Sequence, residues 1–269
     1  MALKGTLALV GGGNMGTALV QGLLESNTAQ PAQIWVAELD QKRREALQAL
    51  GVATVPRPEE LPQVHVLVIA VKPADVPAAT RAAAHCLGPD KLCITLAAGV
   101  KIATVAQQLP PNQPIVRAMP NTPALVRRGA TAIAAGPTAR PEHLETAKAI
   151  FGAVGVVAVV EEKLMDAVTG LSGSGPAYVF QFIEALADAG VAQGIDRATS
   201  LLLAAHTVAG AAELLIAGGE HPAVLTDRVA SPGGTTIAGL QVLERGGFKG
   251  LVMDAVAAAT RRGRELGGG

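Results

Sequence analysis

Residues 6–16 read TLALVGGGNMG, a short apolar run that breaks into Gly11-x-Gly13-x-x-Gly16 and continues as helix-like TALVQGLLES. Strand, tight glycine turn and helix in that order form the dinucleotide-binding fingerprint. Gly11 makes the turn, Gly13 lets the backbone approach a pyrophosphate, and Gly16 lets helix and strand pack closely. The helix start then offers unpaired N–H groups and a positive dipole end to phosphates. The same pattern also fits an ordinary βα turn of an α/β protein, so other segments have to decide between the two.

The chain up to about residue 160 alternates strand and helix. Strand-like runs lie at 7–10, 34–37, 66–71, 92–96, 114–119, 130–135 and 154–160, with helix-like segments such as 40–50 and 74–87 between them. Continuous apolar strands alternating with helices predict a parallel, doubly wound sheet covered on both faces. The character changes near Glu161, and no convincing strand follows. This predicts a Rossmann-like domain over 1–161 and an all-helical domain over 162–269. Residues 177–193 confine Gln181, Glu184 and Asp188 to a narrow polar stripe. Residues 198–212, ATSLLLAAHTVAGAA, carry no formal charge. A helix that apolar on all sides must be buried all round. So small a second domain cannot enclose it, and partner subunits are the simplest cover.

Composition excludes several classes of function. Lys and Arg number 22 against 22 Asp and Glu, and aromatic residues make up 2 %. No basic field or stacking platform points to nucleic acid or an anionic membrane. Cys86 and Cys93 are spaced as free thiols of a reducing compartment, not as a CxxC pair. The five histidines show no metal-ligand spacing. No signal-peptide pattern is found, and the uncharged stretch 167–183 is broken by glycine, serine and proline. The expectation is a cytoplasmic protein without metal.

Four further segments carry chemistry. AVKP, Ala70 to Pro73, ends the central strand where a doubly wound sheet opens its cofactor crevice. AMPNTPALV (118–126) follows another strand end, LSGSGPAYVF (171–180) opens a long helix, and SPGGTTI (231–237) opens a later one. Together with GGGNMG (11–16), DAVTGLSGSGPAY (166–178) and GEHP (219–222), they resemble the pyrroline-5-carboxylate reductase family over essentially the whole chain. The resemblance implies a Rossmann-like domain, helical domains interlocked in a homodimer, and dimers that can assemble further. It also implies the reaction: hydride passes from NAD(P)H to the ring C=N carbon of 1-pyrroline-5-carboxylate, giving L-proline.

The residues themselves suit that chemistry. Two glycines, Gly233 and Gly234, beside Ser231 and Thr235 at a helix start make a nest of backbone N–H groups for a carboxylate. Plain N-capping by Ser231 is the simpler alternative, and both can hold together. By resemblance, the hydroxyl of Thr236 is the catalytic anchor that bonds the ring nitrogen, and Glu162 either lies near the substrate or is a surface carboxylate before a helix. By resemblance too, Asn14 and Met15 join Gly11, Gly13 and Gly16 against the cofactor. Ala70, Val71, Lys72 and Pro73 lie along its ribose and phosphates, and Ala97 touches the nicotinamide. Asn121 either orients the nicotinamide amide or serves as a turn residue before Pro123.

Other candidates fall away. Tyr178 has Phe182 four residues on where a Tyr-xxx-Lys pair would need lysine, and reads as packing. Residues 174–193 contain no lysine to serve as a general acid. His206 and His221 have no acidic partner in sequence. This shortage of proton donors is informative. Reducing a ketone creates an alkoxide that needs a proton. Reducing a protonated imine discharges a positive nitrogen, so positioning and hydrogen bonding suffice.

The cofactor's adenosine end is contested. Glu38 follows the second strand, where an acid would hold ribose hydroxyls of NAD. Lys42, Arg43 and Arg44 open the next helix and either meet a 2′-phosphate, with Arg43 taken as the cofactor-binding candidate, or form a solvated first turn. The expectation is NADPH, with NADH also used. His65 stands where the family often has aspartate, and Arg57-Pro58 where some members have asparagine; both bear on the adenosine end, not on the reaction. The competing readings are a reductase of another imino or 2-oxo acid, and an NADP sensor without catalysis. A sensor would have no use for a carboxylate nest.

Overall fold

The computed structural model describes residues 2–267. By contacts the chain divides into two units. One comprises the residues through Ser174 together with the chain end from Ala257, and the other is Gly175–Val256.

The first unit is an eight-stranded sheet. In chain order its elements are β1 (Leu7–Val10), α1 (Asn14–Glu25), β2 (Ile34–Ala37), α2 (Gln41–Gln48), β3 (Ala53–Val55), β4 (Val64–Ile69), α3 (Val76–Ala83), β5 (Leu87–Thr95), α4 (Ile102–Ala106), β6 (Ile115–Met119), β7 (Gly129–Ala135), α5 (Pro141–Gly152), β8 (Gly155–Val159) and α6 (Met165–Val168). Strand order is β3-β2-β1-β4-β5-β6-β7-β8. The chain reverses direction across the sheet between β1 and β4, and the carboxyl ends there form the cofactor crevice of such folds. Side chains alternate between the two faces. Leu7, Leu9, Val66, Val68 and Ile94 pack with α1 and α5 residues such as Leu19, Leu23, Ile150 and Phe151. Ala8, Val10, Leu67, Ile69 and Cys93 pack with Val76, Ala83, Ile102 and Val105 of α3 and α4. The sheet is thus covered on both faces, and the Rossmann-like architecture predicted from the sequence is the one observed.

Three details correct the sequence reading. The sheet is not wholly parallel, because β7 runs antiparallel to β6. Only residues 120–128 join them, too few for the crossover a parallel pair needs. The fifth strand starts at Leu87, not 92: Leu87 pairs with Val64, Gly88–Lys91 bulge out, and pairing resumes at Leu92 with Val66. The short strand β3, paired with β2, had no expectation at all.

The second unit comprises α7 (Gly175–Ala192), α8 (Arg197–Gly218), α9 (Pro222–Val229), α10 (Thr235–Arg245) and the first part of α11 (Phe248–Leu266). Asp196 caps α8, its Oδ1 accepting the Thr199 N–H at 3.0 Å. Bonding to the carboxylate at that cap, chiefly from Thr199, holds its pKa below the ordinary range. His221 caps α9 by accepting the Ala223 N–H, a structural post. In the single chain only Ala187, Ser200 and Ala204 of this unit are buried, and His206 is exposed. The helix α8 has the length and composition to cross a membrane. Its flanks expose Leu201, Leu202 and Leu203 at 50–58 %.

Candidate functional site

The glycine turn has the form its sequence predicts. Gly11 adopts φ +106°, and a Cβ there would lie 2.6 Å from the Ala70 carbonyl oxygen. A Cβ on Gly16 would overlap the Gly11 carbonyl, so the third glycine lets α1 press against the turn. Gly13 is the N-cap of α1, with no side-chain cap and no acidic residue in the first turn. Nη1 of Arg43 lies 3.9 Å from where its Cβ would be. A cradle that a side chain would fill, facing an open helix N-terminus, fits a dinucleotide pyrophosphate. Asn14, Met15 and Gly16 form the first turn of that helix.

Beside the turn lies a cavity of about 370 Å³ whose lining includes Val10, Gly11, Ala37, Glu38, Pro56 and Val71. Glu38 is 8 % exposed. Its Oε2 accepts the Gly12 N–H at 2.7 Å and its Oε1 accepts the Asp40 N–H at 2.9 Å. Arg44 turns away to donate through Nη1 to the carbonyls of Glu38 and Leu39, both at 2.7 Å. Lys72 caps the short turn Pro73–Asp75 that leads into α3, with its side chain exposed.

The carboxyl end of β5 carries Ala97, which is 4 % exposed, and Gly99 at φ +76°. The end of α11 seats here, with the Gly267 nitrogen 3.2 Å and the Gly263 carbonyl 3.4 Å from where a Gly99 Cβ would be. Just beyond, the Ile102 N–H donates to Oε1 of Glu162 at 2.6 Å. The same carboxylate oxygen lies 3.7 Å from Nη1 of Arg117, whose Nη2 lies 3.5 Å from Asp166. Arg117 is 3 % exposed on β6, and a guanidinium buried so deeply needs its carboxylates. Sequence reading passed over it as one letter of a strand. Its signal was a lone arginine inside an otherwise apolar run.

Asn121 has a defined internal role. Its Nδ2 donates to the Ser172 carbonyl at 3.0 Å, and its Oδ1 accepts the Ala130 N–H at 2.8 Å. Ser172 lies in a π-helical turn, Thr169–Gly173. A Cβ on Gly173 would press within 2.7 Å of the Met119 Cε. The AMPN and LSGSG segments therefore meet in space, and the amide of Asn121 is already engaged in joining them.

In the helical unit, Ser231-Pro-Gly-Gly makes a tight turn. Gly233 sits at φ +67°, and the Gly234 N–H donates to the Ser231 carbonyl at 3.0 Å. The N-cap of α10 is Gly234, with no side-chain cap. Ser231 is thus not the capping residue, contrary to the simpler reading. A Cβ on Gly234 would overlap the Ser231 Oγ and press on the Ser231 carbonyl oxygen at 3.2 Å. Thr235 is exposed and Thr236 half-buried in the first turn of α10. Thr236 lines a cavity of about 490 Å³ together with Leu215, Pro222, Leu225, Thr226 and Val229. Tyr178 is half-buried on α7.

Comparisons with known proteins point to one family. A family model described as pyrroline-5-carboxylate reductase dimerisation matches residues 162–266. One described as NADP oxidoreductase, coenzyme F420-dependent, matches residues 6–99. A pyrroline-5-carboxylate reductase of Synechocystis sp. is 48 % identical over 264 residues, covering 97 % of this chain and 98 % of its own. A solved structure of a pyrroline-5-carboxylate reductase from Coxiella burnetii superposes with a TM-score of 0.92 at 35 % identity, covering 97 % of this chain and 98 % of its own. The crystal structure of Plasmodium falciparum pyrroline carboxylate reductase, with NADP bound, gives 0.88 at 31 % identity, covering 99 % and 100 %.

Proposed function

The chain belongs to the pyrroline-5-carboxylate reductase family, and on that premise we propose how its residues divide the work. The protein is an NAD(P)H-dependent reductase of 1-pyrroline-5-carboxylate, with an NADP(H)-binding Rossmann-like domain and a family dimerisation region. When bound, the nicotinamide cofactor supplies the hydride.

Gly11, Gly13, Asn14, Met15 and Gly16 hold the pyrophosphate, and the Ala70–Pro73 segment and Glu38 line the nucleoside side. Ala97 bounds the nicotinamide. Glu162 acts from behind: it fixes the Ile102 N–H and the Arg117 guanidinium, and so shapes the loop that carries Ala97. Asn121 holds the Ser172 carbonyl and thereby the turn leading into α7. In the helical region, backbone N–H groups around Gly233, Gly234 and Thr235 take the substrate carboxylate, with Ser231 stiffening the turn. The Thr236 hydroxyl takes the ring nitrogen. Functionally we divide the chain at 161/162, read it as a cytoplasmic homodimer joined through the helical region, and assign it no nucleic-acid or membrane partner.

The observation that carries this reading is the SPGGTT turn: an uncapped helix start with Thr236 facing a cavity. Thr236→Ala removes the hydroxyl together with the γ-methyl. A hydrogen bond to a charged group contributes about 1.5–3 kcal/mol, so kcat/KM for pyrroline-5-carboxylate should fall roughly 10- to 150-fold. NADPH affinity and Tm should not move, and Thr236→Ser should recover most of the activity. An Ala variant working at the wild-type rate would reduce Thr236 to a helix-start residue.

A further inference from the structure

We propose that Glu38 makes the adenosine pocket of this chain select a free ribose 2′-hydroxyl, so that NADH serves it at least as well as NADPH. The inference rests on the reading of the glycine turn as the cofactor site and adds the order of preference within it.

Position comes first. Glu38 follows β2 directly and lines the cavity beside the glycine turn, where an acid meets ribose hydroxyls in doubly wound folds. Rigidity comes second. Each carboxylate oxygen is held by one backbone N–H, from Gly12 and from Asp40, and the side chain is almost wholly buried. A carboxylate has about four acceptor positions, so each oxygen keeps capacity for a hydroxyl donor. It cannot swing aside without releasing the glycine turn.

Charge comes third. The titratable groups lining the cavity are Glu38, Glu59 and Asp75, with neither lysine nor arginine among them. The three cations that follow Glu38 in sequence are placed elsewhere. Arg44 is spent on two backbone carbonyls. Arg43 leans over Gly13, where a cation serves a pyrophosphate common to both cofactors. Lys42 is exposed on the first turn of α2 and is not part of the lining. A 2′-phosphate carries a charge of about −1.5 to −2 near neutral pH. Here it would meet the fixed carboxylate of Glu38 with no lysine or arginine in the lining, whereas a ribose diol would find a preset acceptor.

The test is calorimetric binding of 5′-AMP and 2′,5′-ADP, which differ only in the 2′-phosphate, with NAD and NADP alongside. Wild type should bind 2′,5′-ADP no more tightly than 5′-AMP. Glu38→Gln keeps the outline and removes the charge, its single amide oxygen retaining one of the two backbone N–H bonds, and should shift the ratio toward 2′,5′-ADP by about tenfold or more, the size of one charge-assisted contact. Glu38→Ser should shift it the same way. Arg43→Ala should weaken NAD and NADP alike. Steady-state kcat/KM should be equal or higher with NADH in wild type and should reverse in the Gln variant. A wild type that binds 2′,5′-ADP tenfold more tightly than 5′-AMP would overturn the proposal, as would an unchanged ratio in Glu38→Gln. Should Glu38→Ser lose both ligands through a collapsed turn, the Gln ratio decides. Failure of the underlying enzyme reading would look different: no reduction of pyrroline-5-carboxylate with either cofactor.

Discussion

The two units of this chain solve the burial problem in opposite ways. In the first, Leu7, Leu9, Leu19, Ile34, Leu67, Ile94, Ile133 and Phe151 are all under 2 % exposed. In the second, among the described residues, only Ala187, Ser200 and Ala204 are buried, and the rest of the helices keep their apolar side chains outside. Leu202 is 58 % exposed, Ile216 77 %, Val242 66 % and Met253 72 %. Yet the second unit is the more apolar in its long helix. A sheet closed over by helices completes its own core, whereas extended helices offering apolar sides in several directions need a second chain to cover them. The match of this region to a family dimerisation model gives that need a partner.

Three changes would break or sharpen the contrast. The largest effect is expected from Leu202→Asp, which places an unpaired carboxylate on the face we assign to the dimer. An uncompensated buried charge costs about 3–5 kcal/mol, incurred in each subunit. The variant should sediment as aggregate or unfolded chain, as expected where no stable monomer exists. A monodisperse, active monomer in the ultracentrifuge would show that the second unit stands alone. Phe151→Ala should cost about 3–5 kcal/mol by opening a cavity between α5 and the sheet. Here the loss of Tm should not depend on protein concentration, while the wild-type transition itself should. A loss of Tm that itself changes with protein concentration would dissolve the distinction between the units.

The smallest effect concerns the buried thiols of the first unit. Burial pushes Cys86 up to about 11 and Cys93 up to about 12. Both folded values lie above the ordinary thiol value of about 8.5. Their contribution to stability is therefore complete below about pH 8.5 and is lost as pH rises toward 11–12, because only the unfolded chain ionises readily. Native protein at pH 8 should leave both thiols unreactive to an aromatic disulfide reagent, and denaturant should expose two. Prompt native labelling would mean that this core opens far more easily than its packing suggests.

Much of this was legible in the order of residues. The glycine turn needs three positions without Cβ within six residues, and each missing atom has a local reason that a short motif can carry. β1 and β2 fell where four apolar letters stood together, and the SPGGTT turn was visible as a helix start. Of the two readings of its cap, the serine alternative is the one not observed: the tight turn places Gly234 at the boundary. Glu38 was readable as the acid after the second strand, whereas the fate of its neighbouring cations was not. Nothing in KRR says which guanidinium will find a carbonyl to bond.

Sequence by itself determined the periodic and local features: the βαβ start, the helical second half, the apolar helix that cannot be covered within one chain. These follow from hydrophobic spacing and from the φ values that only glycine adopts cheaply. Tertiary structure alone decided the antiparallel course of β7 and the bulge near the start of β5. It also joined Arg117 to Glu162 and Asp166, and Asn121 to Ser172 51 residues away. Each of these depends on which distant groups the sheet order brings within bonding distance. A buried guanidinium or amide must be satisfied by whatever lies there, and no local pattern records what that will be.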